Sequence, residues 1–171
     1  MNTPVRFLPV IILALAVSFA HAEEKNGISV SVSKTTIEKN DTRGSGYYSD
    51  RINRTQGLKA VIRNMSFKEM PEGEVIWSIL VRKYYSTTVE ISTGSEKLRA
   101  LKPAEATDMV IGSAEVSGYN YSGSTEKDKI EWQVIVKQDG KELIKTQSTS
   151  SFDALAKRAI KVTPSAKPAG N

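Results

Sequence analysis

An all-β sandwich is the fold this sequence predicts, on three observations. Apolar and polar residues alternate with a period of two in about seven short segments, and turn-forming residues separate those segments. No stretch among them carries the periodicity of a helix of ordinary length. The pattern occupies residues 23–149, the size of one domain with a single core.

Ile28, Val30 and Val32 alternate with Ser29, Ser31 and Ser33, the mark of a half-buried first strand. Residues 38–50 are rich in Asn, Asp, Gly and Ser and read as a long loop. Alternation returns over 55–64, with Leu58, Ala60 and Ile62 opposed by Lys59 and Arg63. After the turn residues Met70-Pro71-Glu72-Gly73, the segment 75–81 is apolar on both faces and is expected at the centre of a sheet. The β-branched segment 87–93 suits an edge, and 108–116 forms a further strand. Residues 130–136 and 142–146 flank Asp139-Gly140, the pairing that most favours a two-residue hairpin turn.

Trp77 and Trp132 fall on two of the apolar strands, where tryptophans between two sheets can sit. Over residues 27–148 the spacing of strands resembles immunoglobulin-like and fibronectin-III-like modules, which implies an antiparallel β-sandwich of about seven strands. The chain departs from true immunoglobulin domains in having no cysteine pair. The resemblance is one of architecture and implies no shared binding site.

Beyond the hairpin, Phe152, Leu155, Ala156, Ala159 and Ile160 make a helical stripe, with Ser150 and Asp153 spaced as a capping pair. A short amphipathic helix is therefore expected over 150–161, followed by a disordered tail over 162–171, where Pro164, Pro168 and Gly170 lie. At the other end, Arg6, the apolar run 7–19 and Ala20-His21-Ala22 together predict a signal peptide over 1–22, cleaved after Ala22. That apolar run is 13 residues long, against about 20 for a membrane-spanning helix. The expected product is exported, periplasmic or secreted, with no transmembrane segment after cleavage. The absence of cysteine points to a bacterial source.

The net charge of +5 is not spread over the domain. Of 24 Lys and Arg, Arg6 lies in the leader and Lys157, Arg158, Lys161 and Lys167 lie at the C-terminus. Residues 23–156 thus hold 19 basic and 19 acidic groups, which gives nucleic-acid binding by the body no electrostatic support. Lys157, Arg158 and Lys161 offer weak contact with an anionic surface.

The one histidine, His21, is in the leader. A product without His or Cys lacks the residues for Ser-His-Asp or Cys-His catalysis and the usual ligands of zinc, copper and haem. No acidic calcium loop or glycine-rich phosphate loop is present, so neither a metal nor a cofactor is expected. The enzyme class that survives needs only two carboxyl groups, as in glycoside hydrolysis, and Glu72, Glu74, Glu115 and Glu131 are its candidates. The expected function is noncatalytic binding of a protein or a glycan, with a carboxylate-dependent glycan-acting enzyme as the alternative.

The candidate binding residues are the tyrosines, which all occur in close pairs: Tyr47 and Tyr48, Tyr84 and Tyr85, Tyr119 and Tyr121. Arg51 and Arg82 lie beside them in sequence, and Tyr with Arg is the composition favoured at binding hot spots. Consecutive loops of a sandwich alternate between its ends, and the strand count allows all three pairs the same end.

Overall fold

The computed structural model describes residues 21–44, 50–121 and 124–163. Ten strands and one short helix follow in order: β1 (His21–Lys25), β2 (Ile28–Lys39), β3 (Asp50–Asn64), β4 (Gly73–Arg82), β5 (Val89–Leu98), β6 (Ala106–Tyr121), β7 (Ser124–Lys127), β8 (Lys129–Gln138), β9 (Lys141–Gln147), α1 (Phe152–Ala156) and β10 (Ile160–Lys161). They make two five-stranded sheets, ordered β1-β2-β3-β6-β7 and β10-β5-β4-β8-β9. The pairings are antiparallel except β10 with β5. The molecule is thus an all-β sandwich of two sheets.

Period-two alternation aims one side of each sheet inward. Val30 and Val32 of β2, Leu58, Ala60 and Ile62 of β3, and Ile111 of β6 meet Val75, Trp77, Ile79, Trp132, Val134 and Val136 of β4 and β8 in one buried cluster. Each Val, Ile or Leu buried there contributes roughly 1.5–3 kcal/mol relative to exposure. β4 is central in its sheet, between β5 and β8, as its apolar composition predicts. Its outward Leu80 is fully buried as well, outside the main cluster, and so is Phe152 of α1, which lies against β5 and β8.

Among the described residues, two two-residue hairpin turns carry positive φ at both residues, +49° and +75° at Asp139 and Gly140 and +54° and +72° at Asn26 and Gly27. That geometry suits the twist of the flanking strands. The first of these turns was legible, and the second joins β1 to β2, before the first strand that the alternation marks. The rungs run from His21 opposite Val32 to Lys25 opposite Ile28.

The helix expected over 150–161 is shorter. It spans Phe152–Ala156, its N-cap Ser151 makes no side-chain capping bond, and the chain leaves it at Lys157. Asp153, expected as a capping partner, instead accepts hydrogen bonds from Gln133 (3.0 Å) and Lys145 (3.1 Å). A helix this short is marginal by itself. The edge of β5 supplies an alternative: Ile160 and Lys161 pair with Glu90 and Ile91, and the Val162 N–H donates to the Ile91 carbonyl at 2.9 Å. The first residues of the expected tail are therefore held against β5, and residues 164–171 lie outside the described part, as do residues 1–20 of the expected leader.

Candidate functional site

The site begins at a corner where the chain passes from one sheet to the other. β7 closes the edge of the first sheet and β8 enters the second, and a single residue, Asp128, stands between them. Sandwich corners are commonly made by strands that switch sheets in this way. The Asp128 carboxylate is fully buried and accepts the Tyr84 N–H on one oxygen (3.1 Å) and the Ser117 N–H on the other (3.1 Å). Its own N–H donates to the Ser117 carbonyl at 2.9 Å. Asp128 thereby ties the loop after β4 to the end of β6.

Lys83 adds the positive partner, 3.4 Å from Asp128 and 3.1 Å from Glu90. Burial by itself would lower its ammonium, but the hydrogen bonds and charges of Glu90 and Asp128 outweigh that and raise it above the ordinary value. Lys83 is a fixed cation.

This tie brings two of the three tyrosine pairs together. The rings of Tyr84 and Tyr119 lie 6.1 Å apart and edge to face, Tyr84 meets Tyr85 at 5.1 Å, and Tyr119 meets Tyr121 at 6.1 Å. Such contacts contribute about 0.5–1.5 kcal/mol each beyond the area they bury. Tyr84 and Tyr119 are the half-buried inner pair, while Tyr85 and Tyr121 are exposed at 68% and 47%. Burial, then the charges of Tyr119, Tyr121, Asp128 and Tyr85, push the Tyr84 phenol above 10.0, so its hydroxyl keeps its proton at neutral pH. Tyr47 and Tyr48 lie outside the described residues.

Arg51 of β3 stands in register opposite Tyr119, whose other neighbour is Glu126 of β7. Directly opposed residues share a sheet face, so Arg51 borders the ring cluster. Arg82, the last residue of β4, reaches Glu131 at 3.5 Å, and its Nε is buried with no hydrogen-bond partner among the described residues. Of the three cations expected to offer contact with an anionic surface, Arg158 reaches this end of the fold, whereas Lys157 caps α1 and Lys161 sits on β10.

Two open depressions flank β7. The larger, about 640 Å³, is lined by Arg82, Lys83, Lys127, Lys129 and Arg158 with Glu126 as its one acid, together with Tyr84, Ser86, Thr87 and Thr88. The second, roughly 410 Å³, holds Lys39, Arg43, Arg51, Arg54 and Lys127 against Asp41 and Asp50. Thr125 and Lys127 line both. The neutral balance of the body thus conceals a local excess of positive charge. Sequence reasoning missed Lys127 and Lys129 because residues 124–129 show no alternation; the charged run Lys127-Asp128-Lys129 was the available signal.

The carboxylates considered for glycan chemistry are dispersed. Glu74 and Glu131 stand opposite Lys137 and Leu80, six β4 residues apart on that ladder, or about 20 Å. Glu131 is engaged by Arg82 and by the Ser148 hydroxyl at 2.9 Å. Glu115 is on the other sheet, and with Glu90 of β5 it lines a cleft of roughly 320 Å³ formed by residues of both sheets. Among the described residues no group of three or more His, Cys, Asp or Glu could hold a metal ion. No helix among them is long and apolar enough to cross a membrane.

No protein-family model matches the chain, and no curated protein sequence matches it significantly. Among solved structures it is similar to a protein of Akkermansia muciniphila, with a TM-score of 0.42 and 11% identity over 83% of this chain and 84% of that one. A likeness at that level carries no argument about function.

Proposed function

We propose that this chain is a noncatalytic exported protein that binds a protein or glycan partner, in the bacterial envelope or outside the cell, through the tyrosine-bearing end of its sandwich. The observation that carries the reading is the meeting of Tyr84, in the loop after β4, with Tyr119 of β6 in the other sheet, beside a concave surface that Tyr84 lines, with the exposed rings of Tyr85 and Tyr121 packed against the two. Aromatic rings with one polar tip, held rigidly by neighbours, make contact area at little entropic cost.

Strand order supports a fibronectin-III-like assignment within the sandwich class. Setting aside β1, β7 and β10, seven strands remain, β2-β3-β6 against β5-β4-β8-β9. The fourth of them pairs with the third, whereas in constant-type immunoglobulin domains it joins the sheet of the first, second and fifth.

The test is an array of glycans and envelope extracts probed with the wild-type chain and with Tyr85→Ala/Tyr121→Ala. Binding lost in the double variant, with thermal stability unchanged, supports the reading, and unchanged binding refutes it. Release of reducing sugar by the wild type, abolished in Glu115→Gln, would favour the enzyme instead.

A further inference from the structure

We infer that the ligand of this end is an acidic polysaccharide, a sugar chain bearing carboxylate or sulfate groups, laid along the two basic depressions that meet at β7. The inference rests on the binding reading above and adds the chemical class of the ligand.

Three features converge on an anionic sugar polymer. The first is uncompensated charge. In the larger depression Arg82 and Lys83 have carboxylate partners, but Lys127, Lys129 and Arg158 form no ion pair among the described residues, and neither does Arg51 in the second. Crowding cations on an otherwise balanced domain costs self-repulsion, which a bound polyanion relieves.

The second feature is continuity. Lys127 and Thr125 belong to both depressions, so the positive surface runs across β7 instead of ending in a closed pocket. That shape suits a chain more than a small anion. The third feature is the remainder of the lining. Ser86, Thr87, Thr88, Asn120 and Thr125 provide hydroxyl and amide groups of the kind that match sugar hydroxyls. The exposed rings of Tyr85 and Tyr121 offer apolar faces to the C–H side of a sugar ring.

Other polyanions fit less well. A folded acidic protein calls for an apolar interface core, and the larger depression offers only Val89, Leu155 and the half-buried ring of Tyr84. Single-stranded nucleic acid calls for rings on which successive bases can stack. Here Tyr84 meets Tyr85 at 84° and Tyr119 at 72°, edge to face, and acidic residues punctuate the cationic belt.

The experiment measures binding of the exported chain to polygalacturonate, dextran sulfate, neutral dextran and single-stranded oligothymidylate by affinity electrophoresis and titration calorimetry. Two variants of equal charge are compared: Lys127→Gln/Lys129→Gln/Arg158→Gln at the site, and Lys68→Gln/Lys102→Gln/Lys141→Gln at the opposite end. We expect both acidic polymers to bind in a salt-sensitive manner, neutral dextran not to bind, and the site variant to lose about ten-fold or more in affinity while the remote variant keeps it. Equal losses in the two variants would show diffuse charge attraction and overturn the site, and preference for the oligonucleotide would overturn the ligand class. Binding to none of the four also overturns it. Binding to neutral dextran that is lost in Tyr85→Ala/Tyr121→Ala, but not in the site variant, removes the acidic ligand and leaves the tyrosine-end reading standing.

Discussion

Trp77 of β4 lies directly opposite Gly94 of β5, and its indole fills the space a side chain there would need: an added Cβ would come within 2.4 Å of Trp77 Cζ2. Gly112 of β6, in the facing sheet, makes the same room on the other side, with 2.6 Å from its Cβ position to Trp77 Cε3 and a φ of +58°. Two glycines from two sheets clamp one ring. Gly94→Ala should therefore cost about 1–3 kcal/mol through overpacking, and Gly112→Ala should cost more because its left-handed backbone adds strain. Trp77→Ala should cost about 3–5 kcal/mol. Because Trp77→Ala removes the atoms that Gly94→Ala collides with, the double variant should be more stable than the sum of the single losses implies. Urea denaturation of the four proteins measures the coupling; strict additivity would contradict the clamp.

The tie at Asp128 makes a separate prediction. Its carboxylate is buried, holds two backbone N–H groups and faces Lys83, so Asp128→Ala leaves the Tyr84 and Ser117 N–H groups without an acceptor and Lys83 with Glu90 alone. A loss of about 3–5 kcal/mol is expected, the range for breaking a buried charged pair. Since the tie positions Tyr84 against Tyr119, the tyrosine bands of the near-ultraviolet circular dichroism spectrum should change even under conditions where the variant remains folded. Asp128→Asn, which keeps the shape and one acceptor oxygen, should lose less. An unaltered tyrosine spectrum in Asp128→Ala would show that the ring cluster forms without it.

How much of this was legible follows from where the apolar residues are. β2, β3, β6, β8 and β9 each bury one side, so alternation marks them, while β4 and β5 show in apolar and β-branched composition; β7, with Ser124 to Lys127 exposed throughout, gives no such signal. β1 is also polar, and only Asn26-Gly27 betrays its hairpin. The stripe from Phe152 to Ile160 promised a longer helix because periodicity cannot show that a neighbouring strand edge offers competing backbone bonds. Ile160 ends 61% exposed on β10. For the site, the tyrosines stand out in sequence and strand parity allowed their meeting. The basic surface did not stand out, because charge counted along the chain is blind to a corner that gathers Lys127, Lys129, Arg82 and Arg158 from distant segments.

Acid should destabilise the fold through a defined set of carboxylates. Hydrogen bonding from Arg54 holds Asp41 below its ordinary 3.8, Lys59 does the same for Asp108, Gln133 and then Lys145 for Asp153, and the Lys102 N–H with Arg99 holds Glu105 below 4.5. A carboxyl depressed in the folded state contributes stability that is fully present above its unfolded value and lost as pH falls through the folded one. Stability should accordingly be level with respect to these groups above about pH 5 and decline below about pH 4. Each is solvent-accessible, so each share is small. Asp41→Asn should flatten part of the decline measured by urea midpoints from pH 6 to pH 2.5. A variant with the full wild-type slope would remove Asp41 from the set.

The proposed signal peptide leads to the last prediction, a mature amino terminus at Glu23. In that proposal Ala20-His21-Ala22 supplies the small residues that signal peptidase reads, after an apolar run of 13 residues where a membrane-spanning helix needs about 20. The scissile bond would fall inside β1, where His21 and Ala22 face Val32 and Ser31. Cleavage there removes two rungs and leaves Glu23, Glu24 and Lys25 paired with Val30, Ser29 and Ile28 through the Asn26-Gly27 turn. The shortened hairpin keeps its turn and its link to β2, so processing is compatible with the fold. Intact-mass spectrometry of material from the extracytoplasmic fraction should show a chain beginning at Glu23, and Ala22→Leu should block its formation. Recovery of an unprocessed Met1 species, held in the membrane fraction of wild-type cells, would mean that the apolar leader is an anchor and that β1 stays whole.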